Sequence, residues 1–219
     1  MLNRKQKQNY KICIPPLYKP FQELTHEETV AFYEWHMSHL KERIDYLSSF
    51  ICHAMGIPRE TINLSPQSLI PVWEWFLSVV KTEHTPPERL KELEKKYSNH
   101  PIYFVQYLMD QSKDQYTIET ELILRDIGMY LGEVFVKNEP CIHWSYYEKP
   151  KSDFFVNMPV LLGFEDSSYT PPFKMEFEPV HMAKVQAANI WDRSQKKEDL
   201  YNLYTKWSRR YVTHKENDL

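Results

Sequence analysis

Glycine and cysteine are both scarce in this sequence, and each shortage argues against a class of protein. Phosphate-binding loops of nucleotide-binding folds use several glycines, so a chain with four glycines in 219 residues argues against Rossmann and P-loop chemistry. The three cysteines, Cys13, Cys52 and Cys141, are odd in number and far apart. The sequence therefore predicts neither a disulfide framework nor a CxxC metal site. It predicts reduced thiols, as is typical of the cytoplasm.

Long apolar runs are also lacking. No stretch approaches the roughly 20 apolar residues that a membrane-spanning helix needs, which predicts a protein without membrane segments. The first 11 residues are basic and are not followed by an apolar segment, so we expect no secretory signal there. Together with the thiols, these features predict a cytoplasmic location.

Charge is distributed unevenly along the chain. The net charge is −3, but residues 1–11 carry +4 and residues 193–219 carry +3, which leaves −10 on the segment between them. A nucleic-acid-binding protein is expected to carry positive charge on its folded body. This acidic segment argues against a nucleic-acid partner and favours a basic protein partner.

Helix signals dominate the first half. Thr25 with Glu28 and Thr85 with Glu88 have the capping-box spacing, and Pro86 would occupy the first helical position after Thr85. The patterns predict four helices, at 26–55, 66–81, 86–97 and 101–111. Because Pro71 lies inside the second of these, we expect that helix to open as a short turn and then restart.

The first predicted helix is apolar on two sides. One side carries apolar residues at steps of three and four, as a buried face requires. The opposite side carries aromatic residues, among them Trp35 and Phe50. Two interpretations stay open. Either the helix is covered on both sides, or part of the aromatic side is a surface for a partner.

The second half begins with a helix predicted at 117–137. Gly128 and Gly132 lie one turn apart inside it, where each glycine costs about 1 kcal/mol relative to alanine. We interpret them as structural glycines that allow another element to approach closely. Short β-type runs and further helices follow. The strand runs are predicted at 141–147, 154–158, 160–164 and 173–177, before a helix from Pro179 to about residue 191 and a last helix.

The predicted fold class is α+β: a helical N-terminal half, then a helix, a small antiparallel sheet of three to four strands, and C-terminal helices. We expect a helical N-terminal region at 1–115 and a helix–sheet–helix region at 116–219, together forming one compact domain.

Metal-binding and nucleophilic chemistry are weakly indicated. His36 and His39 are three residues apart on a helix, but a metal site needs further ligands that the sequence does not nominate. Cys141 and His143 would lie on the same face of a strand, where such neighbours seldom reach the geometry of a nucleophile and its base. We therefore predict no metal, no cofactor and no catalytic residue from these pairs.

Asp126 and Glu133 lie two turns apart on one face of the predicted 117–137 helix. Paired carboxylates can catalyse glycoside cleavage, but carboxylates on helix surfaces are usually only solvated, and we expect the same here. No GxSxG, HExxH, EF-hand or Walker A motif occurs in the sequence. The sequence thus supports no enzymatic assignment.

Residues 122–164 resemble a module found in small bacterial α+β domains. The resemblance rests on Asp126, on Gly128-x-x-x-Gly132-Glu133, on Trp144, on Asn157-x-Pro159 and on Gly163. Some of those domains are immunity proteins of polymorphic toxin systems, which bind and block a cognate toxin inside the producing cell. The resemblance implies a cytoplasmic binding protein and carries over no catalytic residue.

The leading hypothesis from the sequence is an intracellular protein-binding and neutralising protein, such as an immunity protein to a bacterial toxin. An acidic body would steer a basic partner, and buried aromatic side chains would hold it. The alternatives are an enzyme with a pocket between sheet and helix, using His143 as base, and an RNA-associated factor using the basic termini. The candidate partner-binding residues are Trp144, Tyr146, Tyr147, Trp35 and Phe50.

Overall fold

The fold is α+β, as the sequence predicts. The computed structural model describes residues 9–17, 19–148 and 153–212. Within these ranges the chain forms seven α-helices and two small antiparallel sheets. The elements are α1 (His26–Met55), α2 (Leu69–Val79), β1 (Thr82–His84), α3 (Pro87–Tyr97), α4 (Ile102–Gln111), β2 (Asp114–Tyr116), α5 (Ile118–Asn138), β3 (His143–Tyr146), β4 (Pro159–Asp166), β5 (Phe173–Phe177), α6 (Pro179–Ala187) and α7 (Asp199–Tyr211).

Helix α1 has the bounds that its end signals predict. The Thr25 side chain accepts from the Glu28 backbone N–H, and the Glu28 side chain accepts from the Thr25 N–H, so the capping box is complete. Gly56 ends the helix in the left-handed conformation, with φ 66°, which glycine adopts without a steric cost. Local sequence therefore fixes both ends of this helix.

The predicted capping box at Thr85 is wrong. Pro86 is the N-cap of α3, and Pro87 takes the first helical position instead. The Thr85 N–H donates to the Lys113 carbonyl at 2.8 Å, because the chain leaves a two-stranded ribbon at this point. In that ribbon β1 pairs with β2, with Thr82 opposite Tyr116. The sequence did not predict this ribbon.

The three-stranded sheet has the order β3–β4–β5, all antiparallel. The strand predicted at 154–158 is wrong, since this segment forms turns. Asn157 has a φ of 65°, and its side-chain amide donates to the carbonyls of Phe21 and Leu24. These bonds tie the loop to the segment before α1.

Helix α5 lies at the centre of the molecule, with α1, α2, α6, α7 and β3 packed around it. One hydrophobic core draws on both halves of the chain, including Leu47, Trp73 and Leu200. A Cβ at Gly128 would come within 2.6 Å of the Val180 Cα, and one at Gly132 would overlap the Trp144 indole. The two glycines thus lie where α6 and β3 approach α5 closely.

Helices α3 and α4 follow β1 and precede β2 in the chain, and they pack against each other. Neither helix has a buried residue. We refer to residues 86–113 as the arm and to the rest of the described chain as the body. Among the described residues, no helix is both long enough and apolar enough to cross a membrane.

Candidate functional site

A cluster of charged side chains lies buried where α1 meets α5. The Asp126 side chain has no solvent exposure. Its Oδ2 accepts from Arg43, with Nη2 at 2.6 Å and Nε at 3.1 Å, and from the Tyr10 hydroxyl at 2.8 Å. Its Oδ1 accepts from Arg125 Nη2 at 2.9 Å and Nε at 3.3 Å. One carboxylate is thus shared by two guanidinium groups.

The cluster carries one excess positive charge. Burial, and then the charge of Asp126, raise the pKa of Tyr10 well above its ordinary value, so this phenol stays neutral. Burial works against the charge of Arg43, but its hydrogen bond to Asp126 and the charge of that carboxylate raise its pKa overall. Arginine stays protonated in proteins. Two positive charges therefore face one negative charge.

Beside this cluster is a pocket of about 370 Å³. Its walls come from α1, α5, α6, the segment before α1 and the loop before β4. Most of the lining is apolar, as is usual for a small-molecule site. The apolar lining residues are Pro15, Leu17, Phe21, Phe32, Leu122, Phe154, Met158, Pro159 and Val180. The polar lining residues are His36, Glu121, Arg125, Glu178, His181 and Lys184.

Two of the polar wall residues have buried nitrogens that lack partners. His36 Nε2 and Arg125 Nη1 make no hydrogen bond to any described residue. Burial, and then the positive charge of Arg125, lower the pKa of His36 to about 3, so the imidazole is neutral near pH 7. Buried polar atoms in folded proteins are nearly always paired. Unpaired nitrogens on two adjoining wall residues therefore point to a ligand.

Glu178 lies buried in the wall that α6 contributes. It is the N-cap of α6 and accepts from the backbone N–H of Val180 at 3.2 Å and from that of His181. Burial raises the pKa of Glu178 to about 7, although these bonds and the charge of Lys184 oppose the rise. Lys184 forms an ion pair with Glu121, and both side chains are part-exposed. The α6 wall thus contains a carboxyl group that can gain or lose a proton near neutral pH.

Three of the predicted partner-binding residues lie on or beside β3. Trp144 is half-buried, packs against Gly132, and donates from Nε1 to Glu133 Oε1 at 2.7 Å. Tyr147 is buried, and its hydroxyl is 3.2 Å from Asp153. Tyr146 is half-buried against α1. The Trp144 ring also lies 5.1 Å from that of His36, so it supports the pocket wall from behind.

The other two lie on α1 and are half-buried under neighbouring side chains. The Arg125 guanidinium lies 5.5 Å from the centre of the Trp35 ring. Phe50 packs against Tyr10 and Trp75, with ring centres 5.1 and 5.8 Å apart. Of the two interpretations of α1, the structure favours the covered helix.

The remaining predicted chemistry lies away from the pocket or outside the described residues. His143, the base of the alternative enzyme hypothesis, is exposed and does not line the pocket. The described part of the chain contains no group of three or more His, Cys, Asp or Glu side chains arranged to hold a metal ion. Of the basic termini proposed for RNA contact, residues 1–8 and 213–219 lie outside the described ranges.

The expectation that Asp126 is solvated is wrong, because the middle of α5 is covered by the helices and the strand packed around it. Sequence reasoning also missed Arg43, Arg125, Tyr10 and Glu178. The sequence of α1 held one signal, because Arg43 is next to Ile44, which lies on the apolar side of that helix. Comparisons with protein-family models, with curated proteins and with solved structures found no significant match to this chain.

Proposed function

We propose that the protein binds a small organic molecule in the pocket between α1, α5 and α6. The observation that carries this proposal is an apolar pocket whose wall holds two buried nitrogens, on His36 and Arg125, that have no hydrogen-bond partner among the described residues. Its volume of about 370 Å³ falls in the range of ~300–1,000 Å³ typical of ligand sites.

The apolar part of the wall supports the proposal. Phe21 and Phe32 meet edge to face with ring centres 5.0 Å apart, and Phe154 meets His181 at 5.0 Å in the same way. Each of these rings packs against a neighbouring ring. We therefore expect the side chains of the wall to move little when a ligand binds. A ligand with an apolar body fits this wall.

A neutral, environment-sensitive dye such as prodan tests the proposal. We expect saturable binding with a blue-shifted emission, because the dye leaves water for an apolar wall. Leu122→Trp places an indole in the pocket and should lower the affinity for prodan at least tenfold. Ile118→Trp is the matched control, since Ile118 lies one turn earlier on α5 and is 73% exposed.

Both variants are first checked for wild-type helicity by circular dichroism. Binding that is unchanged in Leu122→Trp, or that falls equally in both variants, contradicts the proposal. Absence of saturable binding to the wild-type protein contradicts it as well.

A second candidate function, the binding and neutralising of a basic protein partner such as a bacterial toxin, is favoured by the arm. Helix α4 exposes three large apolar side chains, Ile102 by 75%, Tyr103 by 73% and Tyr107 by 63%. Contiguous exposed apolar surface usually marks a contact site. On this proposal the partner's contacts include the arm in addition to the aromatic residues of the body.

The test is the kinetics of binding to a toxin encoded beside this protein. Raising the salt concentration should slow association, since screening weakens steering by the acidic body. Tyr107→Ser should instead speed dissociation, because interface anchors act mainly on that step. A complex whose rates respond to neither change contradicts this second function.

A further inference from the structure

Among the described residues, the guanidinium groups of the charge cluster outnumber the carboxylates that hydrogen-bond to them. Asp126 accepts from both Arg43 and Arg125, which leaves one positive charge without a carboxylate of its own on side chains that are at most 9% exposed. An unbalanced buried charge is costly unless a partner meets it. A ligand with one negative charge would balance this cluster.

The free donor is on the side of the guanidinium that Asp126 does not use. Arg125 Nε and Nη2 both donate to Asp126 Oδ1, and Nη1 has no partner in the part of the chain that the structure describes. The contact of this guanidinium with the Trp35 ring restricts its movement. A pre-organised guanidinium loses little freedom when it binds an acid group.

His36 supplies a second donor without adding a second charge. Its imidazole is neutral because of its burial and the nearby Arg125, so it can carry its proton on Nε2 and donate it. Nε2 has no partner among the described residues. One charged donor and one neutral donor match the two oxygens of a carboxylate.

The other charges around the pocket do not compete for this role. Lys184 is paired with Glu121, and Glu178 accepts from the backbone at the start of α6. A phosphate monoester would bring close to two negative charges and more acceptor atoms than these two residues can satisfy. The apolar remainder of the wall suits a ligand with a single anionic end.

Building on the proposed function, we propose that the ligand is a monocarboxylic acid with an apolar body. Its carboxylate accepts from Arg125 Nη1 and from His36 Nε2, and its body lies against the wall formed by Phe21, Phe32 and Phe154. On this assignment, the pocket prefers the acid over a neutral ligand of the same shape.

Competition against bound prodan tests the assignment with matched pairs of compounds. Octanoate is compared with octan-1-ol, and 3-phenylpropanoate with 3-phenylpropan-1-ol, at pH 7.5. We expect at least one of the acids to displace prodan at a concentration at least tenfold below that of its alcohol. Octyl phosphate is included as the dianionic probe and should compete more weakly than octanoate.

Arg125→Met is the decisive variant, because it leaves Arg43 and Asp126 as a balanced buried pair. The affinity of the variant for prodan is measured first, and against that reference the variant should lose the preference for acids. Lys184→Met is the matched control. It also removes a positive charge from the pocket wall, and it should keep the preference. His36→Phe provides a second variant, in which the preference should weaken but persist.

The possible failures are distinguishable. If prodan binds but acids and alcohols compete equally, or if Arg125→Met keeps the preference, the carboxylate assignment is wrong and the proposed function stands. If octyl phosphate competes more strongly than octanoate, the ligand is a phosphate and the assignment is also wrong. If neither prodan nor any acid binds, as judged additionally by titration calorimetry, both proposals fall.

Discussion

Helix α5 and the two helices of the arm contain equal numbers of residues and differ completely in burial. Helix α5 has 21 residues, of which 13 are buried, while α3 and α4 together have 21 residues and none is buried. In α5 the packed neighbours restrict which residue fits at most positions, including the two glycines and the charged pair Arg125 and Asp126. In the arm, most positions face water. The pocket depends on the first region, and sequence change should be tolerated in the second.

The largest effect that separates the two regions should come from removing a single carboxylate charge. Asp126→Asn leaves Arg43 and Arg125 without a countercharge, and breaking a buried ionic network costs about 3–5 kcal/mol of unfolding free energy. Asp110→Asn in α4 breaks only the exposed pair with Lys113 and should produce no measurable change. Urea denaturation measures both. Equal stabilities for the two variants would contradict the assigned charge cluster.

A somewhat smaller effect should appear in the pH dependence of stability. The pKa of Glu178 is raised from 4.5 to about 7, so its stabilising contribution is full below pH 4.5 and is lost as the pH rises to about 7. The pKa of His36 is lowered from 6.5 to about 3. Its contribution is full above pH 6.5 and is lost as the pH falls to about 3. The two slopes therefore oppose each other between pH 4.5 and 6.5.

Substituting either Glu178 or His36 should reveal the pH dependence that the other residue causes. Glu178→Gln should make the protein gain roughly 2–3 kcal/mol of stability from pH 4.5 to 6.5, since one proton changes stability by about 1.4 kcal/mol per pH unit. His36→Phe should give the opposite slope. Unfolding curves at a series of pH values measure both. Glu94→Gln, on the exposed surface of α3, serves as control and should follow the wild-type curve, and slopes of the same sign in the first two variants would disprove the pKa assignments.

An added side chain should lower the stability in α5 and not in the arm, by an amount similar to or smaller than the pH effect. Gly132→Leu forces a side chain into the Trp144 indole, and overpacking of this kind costs about 1–3 kcal/mol. Gln106→Leu adds an apolar side chain to the exposed surface of α4 and should leave the melting temperature unchanged. A melting temperature of Gly132→Leu equal to that of the wild type would contradict the close approach of β3 to α5.

The smallest effect should come from the aromatic surface of the arm. The double variant Tyr103→Gln, Tyr107→Gln removes two exposed rings and keeps good helix formers, so stability should change by less than about 0.5 kcal/mol. Thermal denaturation measures this, and binding of prodan in the pocket should be unaffected. A large loss of stability would show that the arm packs on the body.

Local signals account for much of the fold that could be predicted. The bounds of α1 follow from Thr25 and Gly56, which cap the helix through bonds to near neighbours. The close approach at Gly132 could be anticipated because glycine in a helix interior is costly without a packing reason. Each of these inferences needs only residues within a few positions of one another.

The candidate site could not be predicted in the same way. Asp126 meets Tyr10 and Arg43, which are 116 and 83 positions away in the chain. A carboxylate on a helix has the same local pattern whether it faces water or two guanidinium groups. The ribbon escaped prediction for a related reason, since Thr82–His84 and Asp114–Tyr116 are short and their first two residues are polar. Only the pairing of distant segments defines them.

The ribbon also determines how the arm is connected to the protein. The Thr117 N–H donates to the Lys81 carbonyl at 3.2 Å, so the chain returns to the body at the point where it departs. The 35 residues between these two positions form an insertion whose ends already meet. We expect that a short turn can replace the whole insertion while the body still folds. On this expectation, the arm can change in length and sequence without altering the pocket.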